Sequence, residues 1–162
     1  MVRNCQELGI SLQKICSRLL NNDDLVNLLY YTDSDPLSQR YLSDEEKKKY
    51  IFNDLIRIVP FVGSREDNKS VVAIFIPSAK KLSENEEFRA VTIAIEVLVP
   101  TTQWLIKDSN LRPFAILGAI QSSLNGKSIN GLGKIEGGDF DLVTMTKEMT
   151  GYRQIFKITE YD

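Results

Sequence analysis

The chain has 162 residues, of which 43% are apolar and 26% charged, a composition that is typical of a folded domain and argues against disorder along its whole length. Its 20 basic and 22 acidic residues give a formal charge of −2, so no basic excess exists to drive non-specific binding to nucleic acid. No apolar stretch approaches the roughly 20 residues that span a membrane, which leaves protein surfaces as the expected partners.

The length predicts a single domain over residues 1–162. Within it, we expect a helical part at residues 5–52 and a part made of a sheet and one helix at residues 53–162. The N-terminal segment MVRNCQELGI lacks the apolar core of a signal peptide, so we expect synthesis and assembly in a host cytoplasm.

The helical part predicts three helices. Apolar residues recur at helical spacing through residues 8–20. Asp23 or Asp24 is placed to cap a second helix, which ends before Pro36 because the residue before proline avoids helical angles. A third, short helix is predicted after Ser43, since a glutamate stands three positions later in the spacing of a capping box.

The two cysteines lie on the first predicted helix. Cys5 and Cys16 are separated by about 16 Å along its axis, which is too far for a disulfide bond. We therefore expect two free thiols in a reducing compartment.

The pattern then changes to that of strands. Residues 55–59 and 71–76 predict two strands that are joined by a polar hairpin loop at residues 63–68. The second of these strands is apolar on both faces, so we expect it in the centre of a sheet. Residues 78–89 are too polar for a core and predict a long loop.

The clearest strand and the clearest helix follow. Residues 91–99 alternate in the manner of a strand. Residues 111–124 form a broad apolar face at helical spacing, with Ser109 or Asn110 as the cap and a stop signal at residues 125–126.

The C-terminal part predicts further strands. Residues 131–135 and 142–146 read as strands on either side of a turn at residues 137–138, and residues 152–161 read as a last strand. The order of helices, strands, helix and strands favours an α+β fold, with a mostly antiparallel sheet and helices packed on one face.

Candidate catalytic groups are few. The absence of histidine removes the usual general base and the commonest metal ligand. The aspartate pairs Asp33/Asp35 and Asp139/Asp141 have the spacing of a cation site, but such pairs more often satisfy backbone donors in turns. We therefore predict a protein that is not an enzyme, with no catalytic residue, metal or cofactor.

The glycine-rich residues 130–138 contain Lys134 but depart from a phosphate-binding loop. Such a loop needs a serine or threonine after the lysine and precedes a helix, whereas here Ile135 follows and a strand comes next. A bent or bulged strand is the favoured interpretation. Two alternatives stay open: a nucleotide- or metal-dependent enzyme that uses Lys134 and the aspartate pairs, and a monomeric adaptor that binds one host protein.

Several segments together resemble the tail-terminator and tail-completion proteins, the head–tail joining proteins in the neck of long-tailed bacteriophages. These segments cover about half of the chain. They are residues 25–37 (LVNLLYYTDSDPL), 110–117 (NLRPFAIL), 130–134 (NGLGK) and 151–153 (GYR), with a strand that ends near residue 161.

The resemblance implies a structural virion protein that forms a homo-oligomeric ring, usually sixfold. Such a ring caps the tail tube and connects it to the head. The implied partners are other copies of the chain, the tail tube protein and the head–tail connector protein, with DNA passing through the lumen. The resemblance also implies a sheet flanked by helices, loops that contact the neighbouring subunit, and no catalytic residues.

We expect the subunit contacts in two polar, irregular segments, residues 32–42 and 78–89. The 91–99 strand and the C-terminal strand are expected to extend their ladders between subunits. The candidate interface residues are Asp33, Asp35, Arg40, Tyr41, Lys80, Lys81, Glu84, Glu86 and Arg89.

Overall fold

The computed structural model describes residues 5–60, 68–81, 88–129, 133–144 and 146–159. These residues contain the helices α1 (Cys5–Leu20), α2 (Asp23–Tyr30), α3 (Asp44–Tyr50) and α4 (Arg112–Leu124). The strands are β1 (Ile56–Arg57), β2 (Val71–Lys81), β3 (Phe88–Pro100), β4 (Leu105–Ile106), β5 (Asn110–Leu111), β6 (Lys127–Ile129), β7 (Gly133–Thr144) and β8 (Met149–Thr159).

One six-stranded sheet organises the molecule, in the order β1-β2-β3-β8-β7-β6, and β4 and β5 form a separate ribbon. Every pairing in the large sheet is antiparallel except that between β1 and β2. Helices α1, α2 and α4 contact one another, and α1 and α4 also contact the sheet. The fold is therefore α+β, with N-terminal helices and a mostly antiparallel sheet, as the sequence predicts.

The two faces of the sheet differ in chemistry. The helix face carries Ile93 and Ile95 of β3 and Phe156 of β8, all of which are buried in the core together with the apolar residues of the helices. The charged face carries Glu96 and Arg153, which are cross-strand neighbours joined by a hydrogen bond of 2.9 Å from Arg153 Nε to Glu96 Oε1. Most of the apolar core thus lies between the helices and this face of the sheet, and Val71 and Leu98 on the other face are also buried.

The three N-terminal helices occur where the sequence predicts them, but the cap of α2 is different. The side chain of Asn22 accepts a hydrogen bond of 3.1 Å from the backbone N–H of Leu25, so neither Asp23 nor Asp24 is the cap. Asn22 is favoured because its amide also donates to Ser123 Oγ at 2.8 Å, which connects α2 to α4. The capping box that begins α3 is present as predicted.

The predicted hairpin between residues 55–59 and 71–76 is wrong. The first strand is only the two residues Ile56 and Arg57, and it pairs with β2 in parallel, with Ile56 opposite Val72. Turn residues occupy the positions before it, including Asn53 with a φ of 60°. Residues 71–74 are buried on both faces, as predicted. Of the predicted loop at residues 63–68, only the last residue lies within the described part.

The predicted loop at residues 78–89 is also wrong where the structure describes it. Ser78 pairs with Thr92 and Lys80 with Ala90, so β2 and β3 continue beyond the core as a two-stranded extension. Ser78, Lys80, Lys81 and Ala90 are exposed, whereas Ala79 packs against the core, so backbone pairing matters more than burial for most of this ladder. The polar sequence therefore indicates correctly that most of these side chains lie outside the core, but polar residues outside a core can still form a strand.

The glycines of β7 form a bulge, which confirms the bulged strand predicted for the glycine-rich residues, and the turn predicted at residues 137–138 is wrong. The strand is continuous, and its register with β8 shifts between Gly137 and Asp139. A Cβ at Gly137, where φ is 137°, would lie 2.6 Å from a backbone oxygen of β8, so the close approach requires glycine. The bulge reverses the alternation of β7. As a result Phe140 faces the helices, and Asp139 and Asp141 lie on the charged face.

Helix α4 begins without the predicted cap. Asn110 lies in β5, and the residue at the cap position, Leu111, makes no side-chain capping bond, so Ser109 and Asn110 do not cap the helix. Instead, the backbone N–H of Arg112 donates to the carbonyl of Trp104 at 2.7 Å. The helix ends at the predicted stop, where Gly126 has a φ of 71°.

Candidate assembly surface

The first candidate segment, residues 32–42, is fixed by its own hydrogen bonds. Asp33 Oδ1 accepts from the backbone N–H of Asp35 at 3.1 Å, and Asp33 Oδ2 accepts from Gln39 Nε2 at 2.8 Å. Asp35 lies 3.4 Å from Lys107 Nζ. Hydrogen bonding by Ser38, together with Lys107, lowers the pKa of Asp35. Both aspartates thus satisfy donors of the turn, as the sequence predicts for this pair.

Arg40 and Tyr41 donate hydrogen bonds to acidic side chains of the helices. Arg40 donates through Nη1 and Nη2 to the two carboxylate oxygens of Glu46, at 2.9 and 2.8 Å. This pairing lowers the pKa of Glu46 to about 2 and raises the pKa of Arg40. The Tyr41 hydroxyl donates to Asp24 Oδ1 at 3.2 Å. The segment was expected to reach outward, but these contacts hold it against α2 and α3.

Arg112 completes the attachment of this segment, and sequence reasoning missed it. Its guanidinium is buried and donates to the carbonyls of Leu28 at 2.6 Å, Tyr31 at 2.8 Å and Asp33 at 2.6 Å, and also to that of Gln103 at 3.1 Å. Burial lowers the pKa of Arg112, and the coulombic effect of Asp33 opposes that shift. Residues 32–42, bound to Arg112 and to α2 and α3, are called the anchored segment below.

The second candidate segment belongs to the extension of β2 and β3. Lys80 and Lys81 are exposed near the end of β2, and Arg89 lies in β3. Glu84 and Glu86 lie outside the described residues. The described candidates therefore lie on separate elements: four belong to the anchored segment, and the two lysines belong to the sheet extension.

The residues that a nucleotide- or metal-dependent enzyme would use, Lys134 and the two aspartate pairs, also lie on separate elements. Lys134 Nζ is 2.8 Å from Glu136 Oε1 on the same strand, whereas Asp33 lies in the anchored segment and accepts a hydrogen bond from Gln39. Asp139 and Asp141 lie on a strand rather than in a turn. Across the described ranges, no group of three or more cysteine, aspartate or glutamate side chains is placed to hold a metal ion. In the same ranges, no helix is long and apolar enough to cross a membrane.

A cluster of aromatic rings at the N-terminus of α4 is exposed. The ring centroid of Tyr152 lies 5.2 Å from that of Phe114, 5.2 Å from that of Phe140 and 6.3 Å from that of Trp104. Phe114 is 40% exposed, Phe140 45% and Leu142, opposite Tyr152 on β7, 65%. These five residues are called the aromatic surface.

The aromatic surface is not apparent in the sequence because three elements contribute to it. Helical spacing assigned Phe114 to the core side of α4, and the predicted strand at residues 142–146 began after Phe140, so Phe140 and Leu142 were not placed on one strand. The available signal was the alternation of Asp139, Phe140, Asp141 and Leu142 along one strand. Exposed contiguous apolar patches of this kind are typical of protein–protein contact sites, where aromatic residues are enriched.

Comparison with known proteins adds one finding. Residues 22–158 match the model of the protein family described as YomW. Neither the curated proteins nor the solved structures contain a match.

Proposed function

Because the chain belongs to the YomW family and is a phage-associated protein, we propose that it is a structural virion protein of the phage neck. In this proposal it forms a homo-oligomeric ring, a hexamer, that caps the tail tube and connects it to the head. Its partners are other copies of itself, the tail tube protein and the head–tail connector protein. It has no cofactor, it assembles in the host cytoplasm, and DNA passes through its lumen.

The aromatic surface is the observation that carries this proposal. Phe114, Phe140 and Leu142 are exposed side by side, although each would be stabilised by removal from water. Burial of such residues at a subunit contact supplies affinity without any catalytic group. The anchored segment supports the same conclusion, because its polar groups are already used within the subunit and leave a shaped, rigid surface.

A ring also requires two different patches on each subunit, since a closed cyclic arrangement places one side of a subunit against the other side of its neighbour. The aromatic surface lies at one border of the sheet, on β7 and β8, while the β2–β3 extension lies towards the other border. A heterologous contact between these two borders is compatible with that requirement.

Electron microscopy of the purified protein, alone and after addition of phage tail tubes, tests the proposal. We expect rings with a central hole, and rings seated on the ends of the tubes. A matched pair of variants locates the contact. Phe140→Ser should abolish the rings, and Phe52→Ser, which changes a phenylalanine that is similarly exposed (46%) outside the aromatic surface, should retain them. Single particles without a ring, and tubes with bare ends, would contradict the proposal.

A further inference from the structure

The large sheet has two outer borders that are only partly paired. At one border, β6 pairs with β7 only from Gly133 to Ile135, and no strand of the described chain pairs with that edge of β7 beyond Ile135. At the other border, β1 pairs with β2 only at Val72 and Ala73, and the described strands leave the rest of that edge unpaired. Strands β3 and β8 are inner strands, paired on both sides from Val91 to Leu98 and from Gly151 to Ile158, so along these residues their ladders leave no free edge for a neighbouring subunit.

The β7 edge has the features of a docking strand. Along residues 139–144, Phe140 and Leu142 lie on the helix face, while Asp139 and Asp141 lie on the charged face. All four side chains are exposed. An unpaired edge that also exposes apolar side chains favours the addition of another strand.

The β2 edge differs along its length. Pro77 has no backbone N–H to donate, and the pairing with β3 is irregular between Phe75 and Ser78. This stretch is therefore poorly suited to pair with another strand, as is common at the edges of natural sheets. Beyond Pro77, residues 78–81 pair with β3 again and form the base of the β2–β3 extension. Lys80 is exposed there.

The register shows which face Lys80 occupies. Lys80 is opposite Ala90, and Ala90 lies on the same side of β3 as Thr92, which is opposite Lys157 on β8. On β8, Lys157 shares its side with the residues opposite Asp139 and Asp141. Lys80 and the two aspartates therefore lie on the same face of the sheet, at opposite borders.

The direction of the strands allows the two borders to pair between copies. Three successive antiparallel pairings, β2 with β3, β3 with β8 and β8 with β7, make β7 antiparallel to β2. When a second copy stands beside the first with the same strand direction and the same face outward, its β2 is therefore antiparallel to the first copy's β7. Such a contact continues the sheet and keeps each face on its own side.

We propose that residues 139–144 of one subunit bind residues 78–81 of a second copy of the chain, so that the sheet continues from subunit to subunit. Backbone hydrogen bonds join the two strands, and Lys80 of the second copy meets Asp139 and Asp141 on the charged face. The contact uses two different borders of the same chain, so its repetition generates a ring when the rotation between subunits closes and an open polymer when it does not. This inference rests on the proposed ring and identifies its interface.

A charge reversal tests the pairing in the full-length chain. Asp139 is the better position, because it lies opposite Ile155, whereas a lysine at position 141 would stand opposite Arg153 within the same subunit. We expect Asp139→Lys and Lys80→Glu each to lower the ring fraction in sedimentation velocity by about tenfold or more, and the combined variant to restore it. Glu45→Lys, which reverses an exposed acid on α3, should have no effect on the ring fraction.

Cysteine cross-linking tests the same contact independently of charge. In a Cys5→Ser background, Lys80→Cys combined with Asp141→Cys should form disulfides between copies under mild oxidation, giving a ladder of masses up to the closed ring. Either single cysteine variant should give no ladder, because Cys16 is buried. A disulfide requires Cα atoms within about 7 Å of each other, so the ladder reports proximity of the two strands.

The outcomes separate this inference from the proposed function. Rescue by the combined variant together with the ladder supports the pairing. Rings that survive both charge reversals, or that are lost without rescue and without a ladder, overturn the pairing while the ring itself stands. A wild-type chain that stays monomeric even with tail tubes overturns both.

Discussion

The anchored segment and the aromatic surface are both exposed, but they differ in what their side chains already contact. In the anchored segment, Asp33, Arg40 and Tyr41 each have hydrogen-bond partners within the subunit. In the aromatic surface, Phe140 and Leu142 contact neighbouring rings or strands on one side and water on the other. The comparison teaches that the polar groups of the anchored segment are already paired within the subunit, whereas the apolar side chains of the aromatic surface still meet water and would gain from burial by a partner.

The largest expected effect is on the anchored segment. Arg112→Met removes the donor to four backbone carbonyls, including those of Tyr31 and Asp33, and leaves these acceptors buried without their partner. We expect the free energy of unfolding in urea to fall by about 3–5 kcal/mol. Lys107→Met is the control, because its side chain is exposed and its ion pair with Asp35 lies at the surface, so its loss should change the free energy of unfolding little. An Arg112→Met variant as stable as wild type would show that the segment is not anchored in this way.

The next effect concerns the bulge that creates the aromatic surface. Gly137→Val places a branched side chain where a Cβ already meets the backbone of β8 and where φ is 137°. We expect a loss of about 2–4 kcal/mol in the free energy of unfolding. Gly118→Ala, in α4, is the control: no atom lies within 4 Å of its Cβ position, so the change should stabilise the helix by about 0.5–1 kcal/mol. Equal effects of the two substitutions would argue against the bulge.

A smaller effect on stability, but a large one on assembly, is expected for the aromatic surface. Leu142→Ser changes a side chain that is 65% exposed, so the free energy of unfolding should change by less than about 1 kcal/mol. The mass of the assembly should nevertheless fall, because the substitution removes apolar area from the contact. Val59→Ser, another exposed apolar residue (42%), should alter neither quantity. Loss of stability without loss of mass would assign Leu142 to the fold instead of the interface.

The smallest effect is a pH dependence of the anchored segment. The pKa of Glu46 is lowered from 4.5 to about 2 by Arg40, so the folded state holds this proton less tightly than the unfolded chain. The stabilisation from the pair is therefore complete above about pH 4.5 and lost as the pH falls towards 2. Both groups are exposed, so the slope should be shallow. Glu46→Gln should flatten the unfolding profile in that window, and an unchanged profile would contradict the pairing.

Local signals in the sequence were enough to predict most elements of the fold. Helical spacing gave α1, α2 and α4, and the alternation of residues 91–99 gave the inner strand β3. The α+β class follows from the order of these elements. Residues 78–81 were misassigned because a strand outside the core needs no apolar side chains, and its pairing partner is not visible in a local window.

The candidate site was harder to predict, because its determinants are long-range. Arg112 contacts residues about 80 positions earlier in the chain, and its burial has no local signature. The face on which Phe140 and Asp139 lie depends on the bulge at Gly137, which shifts the alternation by one residue. Glycine pairs predict turns and bulges equally well, so only the register with β8 distinguishes the two.

Mass in solution tests the central claim most directly. Native mass spectrometry and sedimentation velocity of the wild-type chain, across a range of concentrations and with tail tubes added, measure whether copies associate through a limited, closed contact. The account predicts one discrete oligomer, a hexamer, with no open-ended series of larger species. A monomer under every condition, or polymers of indefinite length, would contradict it.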